Sequence, residues 1–133
     1  MEATLVVCAS ALSIDQRNNG LSLFNILEEI NSPSFPTIIP YMAFIALMSR
    51  EPNEPNVVDD LVMSIDIAGE PVFKGGLNPA DFQQRLYSRM IVDMQGIVVN
   101  KTGTMRVVLS RGEQDLGLWR IRVNNIGPQI QQK

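Results

Sequence analysis

Apolar residues recur at every second position in segment after segment, and Gly, Pro and Asn clusters interrupt the segments at short intervals. That is the signature of β structure. The clearest segment is Leu61 to Ala68, where Leu61, Met63, Ile65 and Ile67 fall on one face and Val62, Ser64, Asp66 and Ala68 on the other, because successive strand side chains point oppositely. Leu5 to Leu12 and Leu21 to Ile30 read as a hairpin pair joined by Gln16-Arg17-Asn18-Asn19-Gly20, whose Asn and Gly residues tolerate positive φ. Tyr41 to Met48 is apolar on both faces, as expected of a central strand covered on both sides or by a neighbouring subunit.

Farther along, Val72 and Phe73 form a short strand. Asn78-Pro79-Ala80-Asp81 then offers an N-cap, a proline at the first helical position and an acid in the first turn, predicting a short helix to Arg85 or Leu86. Tyr87 to Met94 alternates again, and Val98 to Asn100 leads through Lys101-Thr102-Gly103 into Met105 to Ser110 as a further hairpin. Arg111 to Asp115 turns the chain into a last strand, Leu116 to Val123. About eight short strands with one helical turn predict an all-β fold, an antiparallel β-sandwich in preference to a barrel. Its core is expected to include Val7, Phe24, Phe44, Met63, Ile65, Val107 and Trp119. The sandwich fills residues 1–126 as a single domain, and 127–133 form a loose C-terminal tail without periodicity.

Composition narrows the function classes. With 133 residues, 45% hydrophobic and 19% charged, the chain can build one independent core. Its formal net charge of −3 gives no overall positive field for nucleic acid or an anionic membrane. A single cysteine, Cys8, cannot form an internal disulfide, which fits a reducing compartment. The opening Met1-Glu2-Ala3-Thr4 lacks the basic start of a secretory signal, and Val7 before Cys8 is too bulky for a lipoprotein cleavage box. The longest apolar run, Tyr41 to Met48, is far shorter than the ~20 residues of a membrane helix. These features predict a cytoplasmic protein.

The chain contains no histidine. That removes Ser-His-Asp and Cys-His catalytic sets and nearly all zinc and iron sites. Cys8, in an apolar alternating strand, reads as a small hydrophobe with a raised pKa. The adjacent acids Glu28-Glu29 sit where neighbouring side chains diverge, whereas Asp59-Asp60 lie in a loop where an additional acid would be needed for calcium. Gly75-Gly76 lacks the Lys-Ser or Lys-Thr of a phosphate loop and reads as a bulge or turn, and the Asn100-Lys101-Thr102 triplet is a chance sequon without a signal peptide. Arginine carries the remaining signal. Arg89, Arg106, Arg120 and Arg122 all fall in expected strands of the second half, and on neighbouring strands they would line one outer face, offering forked donors to a partner's carboxylate or phosphate. The ordinary alternative is that their stems cover the sheet and their heads stay solvated, with Asp93 as a counter-charge.

Several short segments carry a resemblance: Asn19-Gly20-Leu21-Ser22-Leu23-Phe24-Asn25-Ile26, Ser34-Phe35-Pro36 before an apolar strand, Gly96-Ile97-Val98-Val99, and Gly103-Thr104-Met105-Arg106-Val107. In this order the chain resembles an uncharacterised family of small bacterial all-β proteins, a domain of unknown function. The resemblance implies a β-sandwich and assigns no activity. The expected function is a noncatalytic protein-interaction or assembly module of the bacterial cytoplasm, without cofactor, forming a twofold homodimer through exposed edges and surplus apolar strand surface. The alternative is a carboxylate-based small-ligand or divalent-cation binding protein or enzyme.

Overall fold

The computed structural model describes residues 1–127. Its strands are β1 (Glu2–Ile14), β2 (Leu21–Ile26), β3 (Glu29–Ser32), β4 (Thr37–Ser49), β5 (Val57–Val58), β6 (Leu61–Ile67), β7 (Glu70–Gly76), β8 (Ala80–Asp81), β9 (Tyr87–Val99), β10 (Gly103–Arg111) and β11 (Gln114–Asn125). A four-stranded sheet in the order β2-β1-β4-β9 packs on a five-stranded sheet in the order β3-β11-β10-β6-β7, and β5 pairs with β8 as a separate ribbon. The all-β sandwich is as expected. β3, however, lies parallel to β11, so the larger sheet is mixed rather than purely antiparallel. Of the expected loose tail, residues 128–133 lie outside the described residues.

The core between the sheets follows the alternation. Met63, Ile65 and Ile67 of β6 face Cys8 of β1 and Met42, Phe44, Ala46 and Met48 of β4 across a layer completed by Met105, Val107, Leu109, Ile121 and Val123. Each large side chain buried there contributes about 1.5–3 kcal/mol relative to an exposed one. The β6–β7 hairpin closes through Ala68 and Gly69, both at positive φ (49° and 84°), the conformation that matches the twist of paired strands.

Five expectations are corrected. No helix follows Asn78. Ala80 pairs with Val58, Asp81 with Val57, and the Phe82 N–H donates to the Asn56 carbonyl at 2.9 Å. Ala80 and Phe82 are both buried, so burial with period two outweighs the local capping signals. β9 and β10 are not a hairpin, because they belong to different sheets and the chain crosses the sandwich at Asn100–Thr102. Gly75 and Gly76 are strand positions opposite Met63 and Val62, and the irregularity falls between Ile65 and Asp66. Phe24, expected in the core, is 50% exposed. The segment Leu21–Ile30 also splits, β2 staying with β1 while β3 joins β11 in the other sheet. At that corner the half-buried Trp119 spans both apolar clusters and donates its Nε1–H to the Leu27 carbonyl at 2.7 Å.

β4 is the interior strand that its two apolar faces predict, and the cover on its second face comes from within the chain. Val7, Ala9, Ala43 and Ile45 form a second buried cluster against Leu12, Leu21, Leu23 and Tyr41. The tip of the β1–β2 hairpin reaches β9, where Arg89 Nη2 donates to the carbonyl and the side-chain oxygen of Asn19 at 2.8 and 2.7 Å. The hairpin is therefore curled over the outside of the smaller sheet. Val7 is buried, but in this outer cluster rather than between the sheets.

Candidate functional site

The outer face of the larger sheet is built by the residues that alternate with the core. On β10 and β11 these include Thr104 and Arg106, and Leu118, Arg120 and Arg122. Register then brings three arginines together: Arg106 lies directly opposite Arg120, and Arg122, opposite Thr104, lies on the same face two residues farther along β11. On the other side of Arg106 stands Asp66 of β6, forming a cross-strand row Asp66–Arg106–Arg120.

This row is electrostatically incomplete. Arg106 Nε lies 3.8 Å from Asp66 Oδ2, at the outer limit of an ion pair, and Asp66 Oδ1 is buried without a hydrogen-bond partner among the described residues. Arg120 and Arg122 are exposed, and among the described residues neither has an acidic side chain within ion-pair distance. Like charges placed directly opposite across two strands destabilise a sheet. The Arg106–Arg120 pair therefore sits under mutual repulsion that a carboxylate placed between the guanidinium groups would relieve.

Arg89 does not join this group. It projects from β9 in the smaller sheet and holds the hairpin at Asn19. Asp93, expected as a counter-charge, is also on β9 and accepts a hydrogen bond from the Tyr41 hydroxyl. That bond to a carboxylate, with smaller contributions from desolvation and the charge of Asp93, raises the pKa of Tyr41 above its ordinary value.

The other chemical candidates remain apart. Burial pushes the Cys8 thiol up to about 12, which leaves it protonated and unreactive at neutral pH. Glu28 and Glu29 are exposed. Asp60 accepts a hydrogen bond from Arg111 Nε at 2.8 Å. Among the described residues no group of three or more acidic or cysteine side chains is placed to hold a metal ion, and no helix is long and apolar enough to cross a membrane.

A further feature was not anticipated from the sequence. A cleft of about 680 Å³ opens between the β7 and β9 edges of the sandwich, over Met63 and Ile65 of β6. Only the pairing of five strands against four could reveal it, and strand order is not written in local alternation.

No curated protein and no solved structure matches the chain. A family model described as a family of unknown function (DUF6941) matches residues 3–124. This agrees with the resemblance to an uncharacterised all-β family, and the chain belongs to that family.

Proposed function

We propose that this chain is a noncatalytic interaction module that docks an acidic segment of a protein partner on Arg106, Arg120 and Arg122. The observation that carries the reading is the direct opposition of Arg106 and Arg120 beside the exposed Arg122, in a chain whose overall charge is −3. Evenly distributed charge would not gather three guanidinium groups on one sheet face with a single weak counter-ion. Planar forked donors favour carboxylates over neutral ligands. The absence of histidine and the protonated, buried Cys8 favour binding over catalysis.

A bacterial cytoplasmic setting belongs to the same reading, since Cys8 stays a free thiol there. The expected twofold pairing of copies loses one of its two supports, because the surplus apolar face of β4 is covered by the chain's own hairpin. Exposed strand edges are its other support, weakened because β2 and β3 are short and β7 carries Pro71, and a monomer in light scattering at high-micromolar concentration would remove it.

Binding of a fluorescent oligoglutamate peptide, followed by anisotropy, tests the arginine face. Wild type is expected to bind with an affinity that falls steeply as salt rises. Arg120→Gln with Arg122→Gln should keep a normal melting profile and lose most of the binding. Equal binding by the double variant would reduce these arginines to a solvated surface, whose ion pairs are worth only ~0–1 kcal/mol.

A further inference from the structure

The two layers of the sandwich do not match: five strands lie on one side and four on the other. β9, the end of the smaller sheet, shares the lateral cleft with Met63 and Ile65 of β6, while β7 lies one strand beyond β6, and among the described residues the smaller sheet ends at β9. The consequence is visible at Phe73. It is the register partner of the fully buried Ile65 and shares that inward face, yet it is 47% exposed.

The edge of β9 beside this gap lacks the usual protection. Exposed sheet edges are normally blunted by shortness, proline or bulges. β2 and β3 have only six and four residues, and β7 carries Pro71 with an irregular register against β6. β9 has 13 residues, no proline, and a register with β4 that does not shift from Thr37–Val99 to Ser49–Tyr87, interrupted only opposite Pro40, where Gly96 has a φ of 66°. Among the described residues its edge faces the cleft of about 680 Å³ along Val92–Val98; along Ser88–Asp93 the chain's own segment Gly76–Asp81 forms the other wall of a continuous groove of about 500 Å³.

We infer that this cleft receives one extended segment of a partner protein, added as a fifth strand to the β9 edge and lying above β7. Backbone groups of β9 supply the hydrogen bonds, as in other strand additions. Met63, Ile65, Phe73 and Met94 supply an apolar floor, so every second guest residue is apolar. Asp93 is the single ionised side chain lining the main cleft among the described residues, and it projects on the opposite face of β9 from Met94. The guest therefore carries Lys or Arg opposite Asp93. A second whole copy fits less well. Pairing β9 with β9 would bring the second copy's larger sheet into the space that β7 already fills. The inference is independent of the arginine face, which lies on the outside of the larger sheet.

A displayed library of randomised short peptides tests it, with the full chain as bait. Wild type is expected to enrich sequences that alternate apolar and polar residues and carry a basic residue on the polar side. A selected peptide should slow hydrogen exchange along β9 and leave β2 and β3 unchanged. The exposed substitution Asp93→Lys should fold normally and enrich acidic residues in place of basic ones. The inference is overturned by any of four results: no enrichment, identical sequences from wild type and Asp93→Lys, protection confined to strands other than β9, or a wild-type mass that doubles with concentration while the β9 amides become protected. Arg120→Gln with Arg122→Gln should enrich the same peptides as wild type, so failure here and failure of the arginine-face reading are separable.

Discussion

Gly117 of β11 lies against Val6 and Ala3 of β1. A Cβ added there would stand 2.2 Å from Val6 Cγ2, 3.2 Å from Val6 Cβ and 3.5 Å from Ala3 Cβ. Carbon atoms in favourable contact are about 3.5–4.0 Å apart, so Gly117→Ala overlaps Val6 by more than an ångström. Val6 is only 8% exposed and belongs to the core, which leaves it little room to retreat. Forcing a methyl into such a site costs about 1–3 kcal/mol, offset by about 0.4–1 kcal/mol from the reduced freedom of the unfolded chain. With the middle of each range, the net expectation is destabilisation of about 1.3 kcal/mol. Val6→Ala alone removes two buried carbons and costs about 1.5–2.5 kcal/mol. In the double variant the new methyl occupies the space the valine vacates, so the two costs should fall short of their sum by at least about 0.5 kcal/mol. Urea titrations of the four proteins, compared at a common slope, give these differences. Costs that simply add, or a Gly117→Ala variant within about 0.5 kcal/mol of wild type, would refute the claim that side-chain crowding at this crossing fixes the distance between the sheets.

Other substitutions read different parts of the molecule. Because burial raises the Cys8 thiol from 9.0 to about 12, its contribution is intact below pH 9 and is lost as pH rises toward 12, at about 1.4 kcal/mol per pH unit; denaturant melts of wild type and Cys8→Ala should diverge in slope over that window, and parallel curves would contradict it. Arg89→Ala removes both bonds to Asn19 and should speed hydrogen exchange in Leu12–Leu23 at least severalfold while the amides of β10 keep their protection. Unchanged exchange in the hairpin would mean that Arg89 does not hold it.

What was legible in the sequence was whatever depends on alternation alone. Leu61 to Ile67 shows the burial its pattern predicts at every position, and Phe44, Met63, Ile65 and Val107 are all in the core. Pairing across long sequence distances was not legible. Lys101-Thr102-Gly103 has the composition of a hairpin turn, yet it joins strands in different sheets, because a turn signal marks a change of direction and not the identity of the next neighbour. Phe24 failed for a related reason: its strand curls over the outside of the sheet, where Leu21 and Leu23 take the covered side and Phe24 the wet one. The arginines divide likewise. Arg106, Arg120 and Arg122 meet because β10 and β11 form a true hairpin through Gly112 and Glu113, whereas Arg89 needed knowledge of the sheet order to be separated from them.

The covering hairpin also bears on which surface is free to bind. A sandwich has two outer faces, and here the smaller sheet gives up much of its own to Leu12, Leu21 and Leu23. The stretch of β4 around Ala43 and Ile45 is thereby buried, while Ile38 near the start of the strand stays 60% exposed. On the outer face of the larger sheet, among the described residues, Arg106, Arg120 and Arg122 remain exposed, while Val108, in the strand of Arg106 and on the same face, is 4% exposed. Val108 lies between Ser64 and Leu118 in register, one row from the arginines. An acidic partner would therefore meet a platform whose base is already packed and would need to reorganise only the guanidinium heads. Less ordering of side chains means a smaller entropic cost on binding, which favours this face over the hairpin-covered one as the docking surface for a charged segment.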